Sequence, residues 1–197
     1  MWVVSAQQRF ARAVEGSIHQ YLDARERTLT EISPDAATLL RLVREMVSGG
    51  KRVRSAFVLW GWHAVTASRA DADRTAGTEQ DPEWADVIGI ATAMELFHAA
   101  ALVHDDIIDA SDTRRGRPAM HRGLESVHRD GQWVGDAASW GSSAAILVGD
   151  LLLNWADDRM LLACRGAVHG DAVHDAYRRM REEVTFGQYL DVLEEAA

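Results

Sequence analysis

The chain has 197 residues and a formal net charge of −9, from 30 acidic and 21 basic side chains. A surface this acidic repels nucleic acid and anionic membranes, so neither is an expected partner. The single cysteine, Cys164, excludes an internal disulfide framework, and the first residues lack the pattern of a signal peptide, so we expect a cytoplasmic protein.

The composition predicts an all-α fold, because helix-forming residues are abundant and only three prolines interrupt them. No alternating run flanked by Asn-Gly or Asp-Gly indicates a β-hairpin. The first predicted helix covers residues 6–29, where apolar residues recur at helical spacing: Phe10, Val14, Ile18 and Tyr21. The Ser-Pro-Asp run at 33–35 is typical of the start of a second helix, which the Gly-Gly pair at 49–50 ends.

A third predicted helix carries apolar residues at helical spacing: Val53, Phe57, Trp60 and Val65. Residues 69–81 are polar and are expected to form a surface loop. A long fourth helix is predicted from near Pro82 to about Asp109. Its apolar stretch at 88–103 contains a glutamate and a histidine and falls short of the about 20 apolar residues of a membrane span, which indicates a buried helix and not an integral membrane protein.

The fourth helix carries one stripe of residues spaced by three or four positions: Trp84, Val87, Ala91, Met94, His98, Ala101, Asp105 and Asp109. The stripe starts apolar and ends in two carboxylates. Residues 110–137 are expected to form a loop that contains a short helix at most, and two further helices are expected over 139–163 and 171–196. Since no closing element follows the last helix, we expect residues 1–197 to be the N-terminal portion of one larger domain.

The strongest local signal for chemistry is the run Asp105-Asp106-Ile-Ile-Asp109. Asp105 and Asp109 are four residues apart and project from one helix face, with Cβ atoms about 6 Å apart. Two carboxylates this close repel each other unless a divalent cation lies between them, and all-oxygen ligands suit Mg²⁺. An acidic helix end paired with nearby arginines has the same spacing, so this run alone leaves both interpretations open.

Basic residues occur on both sides of this run in the sequence. Arg114 and Arg115 follow the carboxylates closely, and guanidinium groups are matched to a bidentate grip on phosphate, although a structural salt-bridge cluster has the same composition. The Gly-Gly-Lys-Arg-Val-Arg run at 49–54 offers glycines that let backbone approach an anion, a helix N-terminus that favours negative charge, and Lys51 and Arg54 on one face. Gly-Gly before a basic helix start is also an ordinary helix end.

Taken in order, these motifs resemble those of the trans-isoprenyl diphosphate synthases, the farnesyl and geranylgeranyl diphosphate synthase superfamily. The resemblance rests on the Gly-Gly-Lys-Arg-x-Arg run, on Asp-Asp-x-x-Asp with its trailing Asp-x-Arg-Arg-Gly-x-Pro, and on the Gly-Gln-Tyr-Leu-Asp run at 187–191. It implies the isoprenoid synthase fold, a bundle of antiparallel helices whose C-terminal helices this chain lacks, and a homodimer. It also implies a Mg²⁺-dependent prenyltransferase that condenses isopentenyl diphosphate with dimethylallyl, geranyl or farnesyl diphosphate.

The resemblance further implies roles for particular residues. Asp105 and Asp109 would bind Mg²⁺, with Asp106 supporting them through hydrogen bonds, and Arg114 would hold the allylic diphosphate. A second set would hold isopentenyl diphosphate: Lys51, Arg54, His98 and Arg115. Gln188, and Asp191 three residues after it, would face the substrate from across the bundle, although a solvated helix face has the same pattern.

The chain also departs from the family. The run Asp157-Asp-Arg-Met-Leu161 lacks the last acid of a second Asp-rich motif, and Lys51 is the only lysine, so we expect this polypeptide by itself to bind diphosphate weakly and to turn over slowly or not at all. One alternative is a non-catalytic subunit of a heteromeric prenyl synthase, which the intact Asp105, Asp109 and Arg114 argue against. Another is a class I terpene cyclase, which shares Asp-Asp-x-x-Asp but binds no isopentenyl diphosphate and has no need of Gly-Gly-Lys-Arg-x-Arg.

The residues before the first aspartate bear on product length. In the family, bulky aromatics there stop chain growth at farnesyl diphosphate. Ala100 and Ala101 occupy those positions here and predict a longer product, geranylgeranyl diphosphate. Phe97 would be a deeper floor about 12 Å below Asp105, from the helical rise of 1.5 Å per residue, although its ring is equally compatible with core packing.

Overall fold

The computed structural model describes residues 2–67 and 78–196, and within these ranges the chain forms seven helices and one two-stranded hairpin. The helices are α1 (Trp2–Thr30), α2 (Ala36–Val47), α3 (Val53–Thr66), α4 (Trp84–Ile108), α5 (Met120–Asp130), α6 (Ala137–Cys164) and α7 (Gly170–Ala196). The hairpin strands are β1 (Thr113–Arg114) and β2 (Arg117–Pro118). The all-α prediction is confirmed.

Helix α4 lies at the centre of the bundle and packs against α1, α3 and α6. Its most deeply buried apolar residues are Ala91, Ala93, Leu96, Ala100 and Val103. By length and composition α4 resembles a membrane span, but 56% of its most apolar window is buried inside the bundle, as the sequence predicted for a core helix. Glycines bring α6 close to it: a Cβ at Gly89 would lie 2.8 Å from the Ala163 Cβ.

The first two helices follow the sequence prediction with shifted ends. Helix α1 begins at Trp2 and buries the predicted apolar stripe of Phe10, Val14 and Ile18. Helix α2 begins at Ala36, not at the Ser-Pro-Asp run. The Ser33 hydroxyl accepts a hydrogen bond from the Asp35 amide at 3.2 Å, so it stabilises the turn that precedes the helix.

Helix α3 has the predicted bounds, but its predicted apolar residues face outward. Phe57 is 71% exposed and Val65 is 69% exposed. The inward face instead carries Leu59 and Trp62 with smaller residues. The face could not be chosen from the sequence because α3 is apolar on both sides.

Residues 110–137 are more ordered than the sequence predicted. A hairpin pairs Thr113 with Pro118 and turns through Arg115 and Gly116, both with positive φ, as a tight two-residue hairpin turn requires. The eleven-residue α5 follows. The sequence prediction missed the hairpin, because its strands have only two residues each, whereas α5 is the short helix that the prediction allowed.

The other boundaries agree closely with prediction. Helices α6 and α7 extend the predicted 139–163 and 171–196 by one or two residues. Of the predicted loop at 69–81, residues 69–77 lie outside the described part of the chain, and the rest begins with a turn in which the Asp81 amide donates to the Thr78 carbonyl. Helix α7 buries only Gly170 and Tyr177, and its second half exposes several apolar side chains: Val184, Phe186, Tyr189, Leu190, Val192 and Leu193.

The close approach of α5 and α6 yields a stability prediction. A Cβ at Gly141 would lie 2.5 Å from the His121 carbonyl oxygen and 2.9 Å from the Glu125 amide nitrogen, both backbone atoms. We expect Gly141→Ala to lower the free energy of unfolding by about 1–3 kcal/mol, measured by urea denaturation. The control Gly16→Ala sits in open space on α1 and should raise it by about 0.5–1 kcal/mol. Equal effects of the two changes would contradict the packing of α5 on α6.

Candidate functional site

Three carboxylates lie at the C-terminal end of α4, at different depths. The Asp106 side chain is 1% exposed and the Asp105 side chain is 32% exposed. Asp109 is exposed and caps the helix, with its amide donating to the Asp105 carbonyl at 2.9 Å. The predicted stripe thus emerges from the core at this end of the helix, with Asp105 and Asp109 on the accessible side and Asp106 facing inward.

The carboxylates of Asp105 and Asp109 repel each other electrostatically. Burial and the neighbouring Asp109 raise the pKa of Asp105, and Arg114 partly offsets this. The Gln188 side chain on α7 lies close enough to Asp105 to lower its pKa, so this predicted residue is near the carboxylates. Within residues 2–67 and 78–196, no three His, Cys, Asp or Glu side chains form a ready-made metal site. A pair of carboxylates fits Mg²⁺ when water and phosphate oxygens complete the shell.

The hairpin holds Arg114 against the buried carboxylate. Arg114 donates to Asp106 Oδ1 from Nε at 2.9 Å and also from Nη2, and Nη2 lies 3.5 Å from Asp105 Oδ2. These hydrogen bonds to Asp106 raise the pKa of Arg114. Arg114 is therefore the counter-ion of a buried charge, which would otherwise be costly to desolvate.

The neighbouring Arg115 contacts the glycine run that precedes α3. A Cβ at Gly50 would lie 2.8 Å from Arg115 Nη1, and Gly50 has a φ of +92°. Only glycine suits both the backbone and the contact. The contact places Arg115 beside the loop that carries Lys51, although 64 positions separate the two residues in sequence.

His98 lies half-buried among the predicted cations. Burial, followed by the charges of Arg54, Arg115 and Arg114, lowers the pKa of His98 to about 4, while Glu95 acts in the opposite sense. Lys51 is exposed at the start of the same loop. The basic residues predicted from distant parts of the sequence thus form one positive neighbourhood.

A cleft of about 390 Å³ lies beside the hairpin, and three of the predicted site residues line it: Asp106, Arg114 and Arg115. Its polar wall includes Asp106, Arg114, Arg115 and Gly50, and its apolar wall includes Leu42, Met46, Leu102 and Met120. The predicted Asp191 on α7 is exposed. The arrangement can bind a doubly anionic group on the arginine side while oxygen ligands hold a cation on the aspartate side.

The N-terminus of α3 was expected to favour a bound anion, and a protein carboxylate takes one of its amides: Glu95 Oε1 accepts from the Ser55 amide at 3.2 Å and from the Ser55 hydroxyl at 2.7 Å. Glu95 and its partner Arg52 were not singled out by the sequence. The only available signal was that Glu95 is an acid within the apolar stretch of α4.

Comparisons with known proteins identify the family of the chain. The profile of the Polyprenyl synthetase family matches residues 36–197. The chain is 31% identical over 135 residues to the short chain isoprenyl diphosphate synthase of Methanothermobacter thermautotrophicus, covering 68% of this chain and 31% of the relative. It is 30% identical over 145 residues to the geranylgeranyl diphosphate synthase of Methanosarcina mazei, covering 74% of this chain and 35% of the relative.

A solved structure is also similar over most of the chain. It is the geranylgeranyl pyrophosphate synthase of Corynebacterium glutamicum complexed with isoprenyl diphosphate and magnesium, at 37% identity and a TM-score of 0.81. The match covers 95% of this chain and 50% of that one. The chain therefore spans about a third of the length of the curated relatives and half of the solved one.

The positive neighbourhood of His98 can be tested by titration. We expect NMR titration to give His98 a pKa of about 4 in the free protein. Arg54→Gln should raise this pKa, because it removes the cation that disfavours protonation of His98 most strongly. Arg41→Gln, an exposed cation on α2 paired with Glu45, is the control and should leave it unchanged. Since the unfolded chain binds this proton at higher pH than the folded chain, the free energy of unfolding should fall as the pH drops from 6.5 towards 4. A wild-type pKa at or above 6.5 would contradict the cluster.

Proposed function

The chain belongs to the polyprenyl synthetase family, and from that premise we propose that it is the N-terminal, substrate-binding portion of a prenyltransferase. The reaction condenses isopentenyl diphosphate with dimethylallyl, geranyl or farnesyl diphosphate to give a linear trans-polyprenyl diphosphate. The observation that carries the proposal is the contact between the α4 carboxylates and a hairpin arginine: Arg114 donates to Asp106 and lies 3.5 Å from Asp105 Oδ2. This is the arrangement that a magnesium-bound diphosphate needs.

The proposed allylic site lies at the aspartates. Asp105 and Asp109 hold Mg²⁺ together with phosphate oxygens, Asp106 fixes Arg114, and Arg114 turns its remaining donors to the allylic diphosphate. When bound, Mg²⁺ supplies neutralisation of the negative charge that grows on the departing pyrophosphate. Gln188 lies near the Asp105 carboxylate and favours its charged form.

The proposed isopentenyl diphosphate site lies at the cations around His98. Lys51, Arg54 and Arg115 bind the diphosphate, and His98 is neutral at physiological pH, so it donates or accepts a hydrogen bond without adding charge. The allylic C–O bond breaks as pyrophosphate leaves, and the double bond of isopentenyl diphosphate attacks the resulting cation. The proton that is then lost passes to the departed pyrophosphate, so no side-chain base is required of this chain.

The proposed assembly is a homodimer. Exposed apolar residues lie on the side of α4 and α6 where His104 contacts the Ile146 carbonyl: Ile108, Ile146 and Leu147 are 49%, 46% and 63% exposed. Burying such a surface against a second copy removes apolar area from water, which favours association.

The proposed product is geranylgeranyl diphosphate. The similar curated proteins include geranylgeranyl, octaprenyl and nonaprenyl diphosphate synthases, so the proposal rests on α4 itself. Ala101 is half-buried on the stripe below Asp105, and Ala100 beside it is fully buried. Deeper, the Phe97 ring meets the Tyr177 ring edge-on at 6.1 Å between centroids. In this proposal the growing chain runs along α4 past these small residues, and the two aromatic rings end its path.

The metal site can be tested by thermal unfolding. We expect Mg²⁺ with methylenebisphosphonate to raise the melting temperature. Each tenfold increase in ligand concentration above saturation should add about 1.4 kcal/mol to the free energy of unfolding. Asp105→Asn should abolish the gain, because it removes a charged oxygen ligand without changing size. The control Asp130→Asn, an exposed acid at the end of α5, should retain it. A full gain in the Asp105 variant would place the metal elsewhere.

Product length can be tested in both directions by chromatography of the products of an active preparation. Ala101→Phe should shift the product from geranylgeranyl towards farnesyl diphosphate, because a ring at this half-buried position fills the path early. Ala100→Phe should do the same but also destabilise the fold, since Ala100 has no free space. Phe97→Ala should lengthen the product. The proposed path along α4 is wrong if the wild-type protein makes mainly farnesyl diphosphate or if Ala101→Phe leaves the product length unchanged.

A further inference from the structure

Residues 48–52, between α2 and α3, form the loop that carries Lys51 (the Lys51 loop). Arg52 in this loop forms a buried ion pair with Glu95 on α4, outside the cleft. Arg52 Nη1 is 3.2 Å from Glu95 Oε2, and the two side chains are only 8% and 9% exposed. Neither side chain lines the cleft. A pair this inaccessible does not contact a diphosphate. Any effect of the pair on substrate binding therefore acts through the residues that it holds in place.

The Arg52 guanidinium ties three helices to the loop. Besides Glu95 on α4, its Nη2 donates to the Val47 carbonyl at the end of α2 at 2.7 Å and lies 3.8 Å from Glu15 Oε1 on α1. The same Glu15 oxygen accepts from the Gly49 amide at 3.4 Å. Arg52 itself has a φ of +48°, a conformation that a non-glycine residue adopts only when its surroundings impose it.

Glu95 holds the other end of the loop. Through Ser55 it satisfies an amide and a hydroxyl in the first turn of α3, the turn that also carries Arg54. The loop is therefore attached at Gly49, at Arg52 and at Ser55, while Lys51 and Arg54 between these points remain exposed. Two consecutive glycines with positive φ precede Lys51, so the backbone has little rigidity of its own.

We propose that Arg52 and Glu95 are positioning residues that hold the Lys51 loop in the shape that binds isopentenyl diphosphate. The proposal rests on the proposed function, since it assumes that Lys51 and Arg54 receive that substrate. Loss of the pair leaves both cations in the chain but lets their backbone sample other conformations, and binding must then overcome the entropy of ordering it. The allylic site is attached separately, through Asp106 and Arg114, and is unaffected.

The test measures two affinities by calorimetry in each variant: isopentenyl diphosphate alone, and methylenebisphosphonate with Mg²⁺. Arg52→Lys keeps the charge, so Glu95 is not orphaned, but one ammonium cannot replace the fork that reaches Glu95 and the Val47 carbonyl together. We expect about tenfold weaker binding of isopentenyl diphosphate, the cost of ordering about one residue, and unchanged bisphosphonate binding. Ser55→Ala removes only one hydrogen bond to Glu95 and gives a smaller loss in the same direction.

Two controls separate this role from general destabilisation. Thr92→Val breaks a different buried contact of α4, the 2.9 Å hydrogen bond to Ser17 on α1, and should lower the melting temperature while leaving both affinities unchanged. Lys51→Ala removes a proposed substrate contact and should weaken isopentenyl diphosphate binding at least about tenfold. A parallel loss of both affinities in Arg52→Lys, or a loss of isopentenyl diphosphate affinity in Thr92→Val, overturns the positioning role.

Hydrogen exchange makes the outcome independent of substrate. In Arg52→Lys the amides of residues 49–55 should exchange faster than in wild type, while those in the second half of α3 keep their rates. If wild type binds no isopentenyl diphosphate, the proposed function fails, and the exchange result still decides whether the pair holds the loop. Unchanged exchange at residues 49–55 overturns the inference.

Discussion

The ion pair between Asp106 and Arg114 determines the geometry of the whole site. A carboxylate that is 1% exposed needs a counter-ion, and the chain supplies it from eight residues further on. To reach Asp106, the chain must reverse direction within the short hairpin after α4, which explains the positive φ of Arg115 and Gly116. That turn in turn projects Arg115 onto Gly50, and so one buried charge links the carboxylates of α4 to the loop before α3.

The site keeps charges of opposite sign close without letting them cancel. Burial, and then the neighbouring Asp109, raise the pKa of Asp105. On the other side, burial and three arginines lower the pKa of His98. Two internal carboxylates, Asp106 and Glu95, compensate Arg114 and Arg52, the arginines that have structural contacts. Arg54 and Arg115 take part in neither pair, which keeps positive charge near His98 in a chain whose net charge is −9.

The sequence predicted the elements that have a strong period and missed those that depend on distant partners. The α4 stripe from Val87 to Asp109 could be predicted because each residue's direction follows from helical geometry alone. The outward face of Phe57 could not, because both faces of α3 are apolar and only the packing of α1 and α4 decides between them. Likewise Arg52 resembles its neighbours Lys51 and Arg54 in sequence, and only Glu95, 43 positions away, distinguishes its buried role.

The placement of Arg114 is compatible with two tasks at once. A guanidinium has five N–H donors, and Asp106 occupies two of them, so three remain. The 3.5 Å separation from Asp105 is a weaker contact than those to Asp106, and a cation between Asp105 and Asp109 would compete with it for the carboxylate. Arg114 would then keep its anchor on the buried Asp106 and present its free edge to whatever anion the cation carries. Because the anchor is rigid, little side-chain entropy remains to be lost when the diphosphate binds, which is the advantage of fixing a ligand-binding arginine on a buried carboxylate.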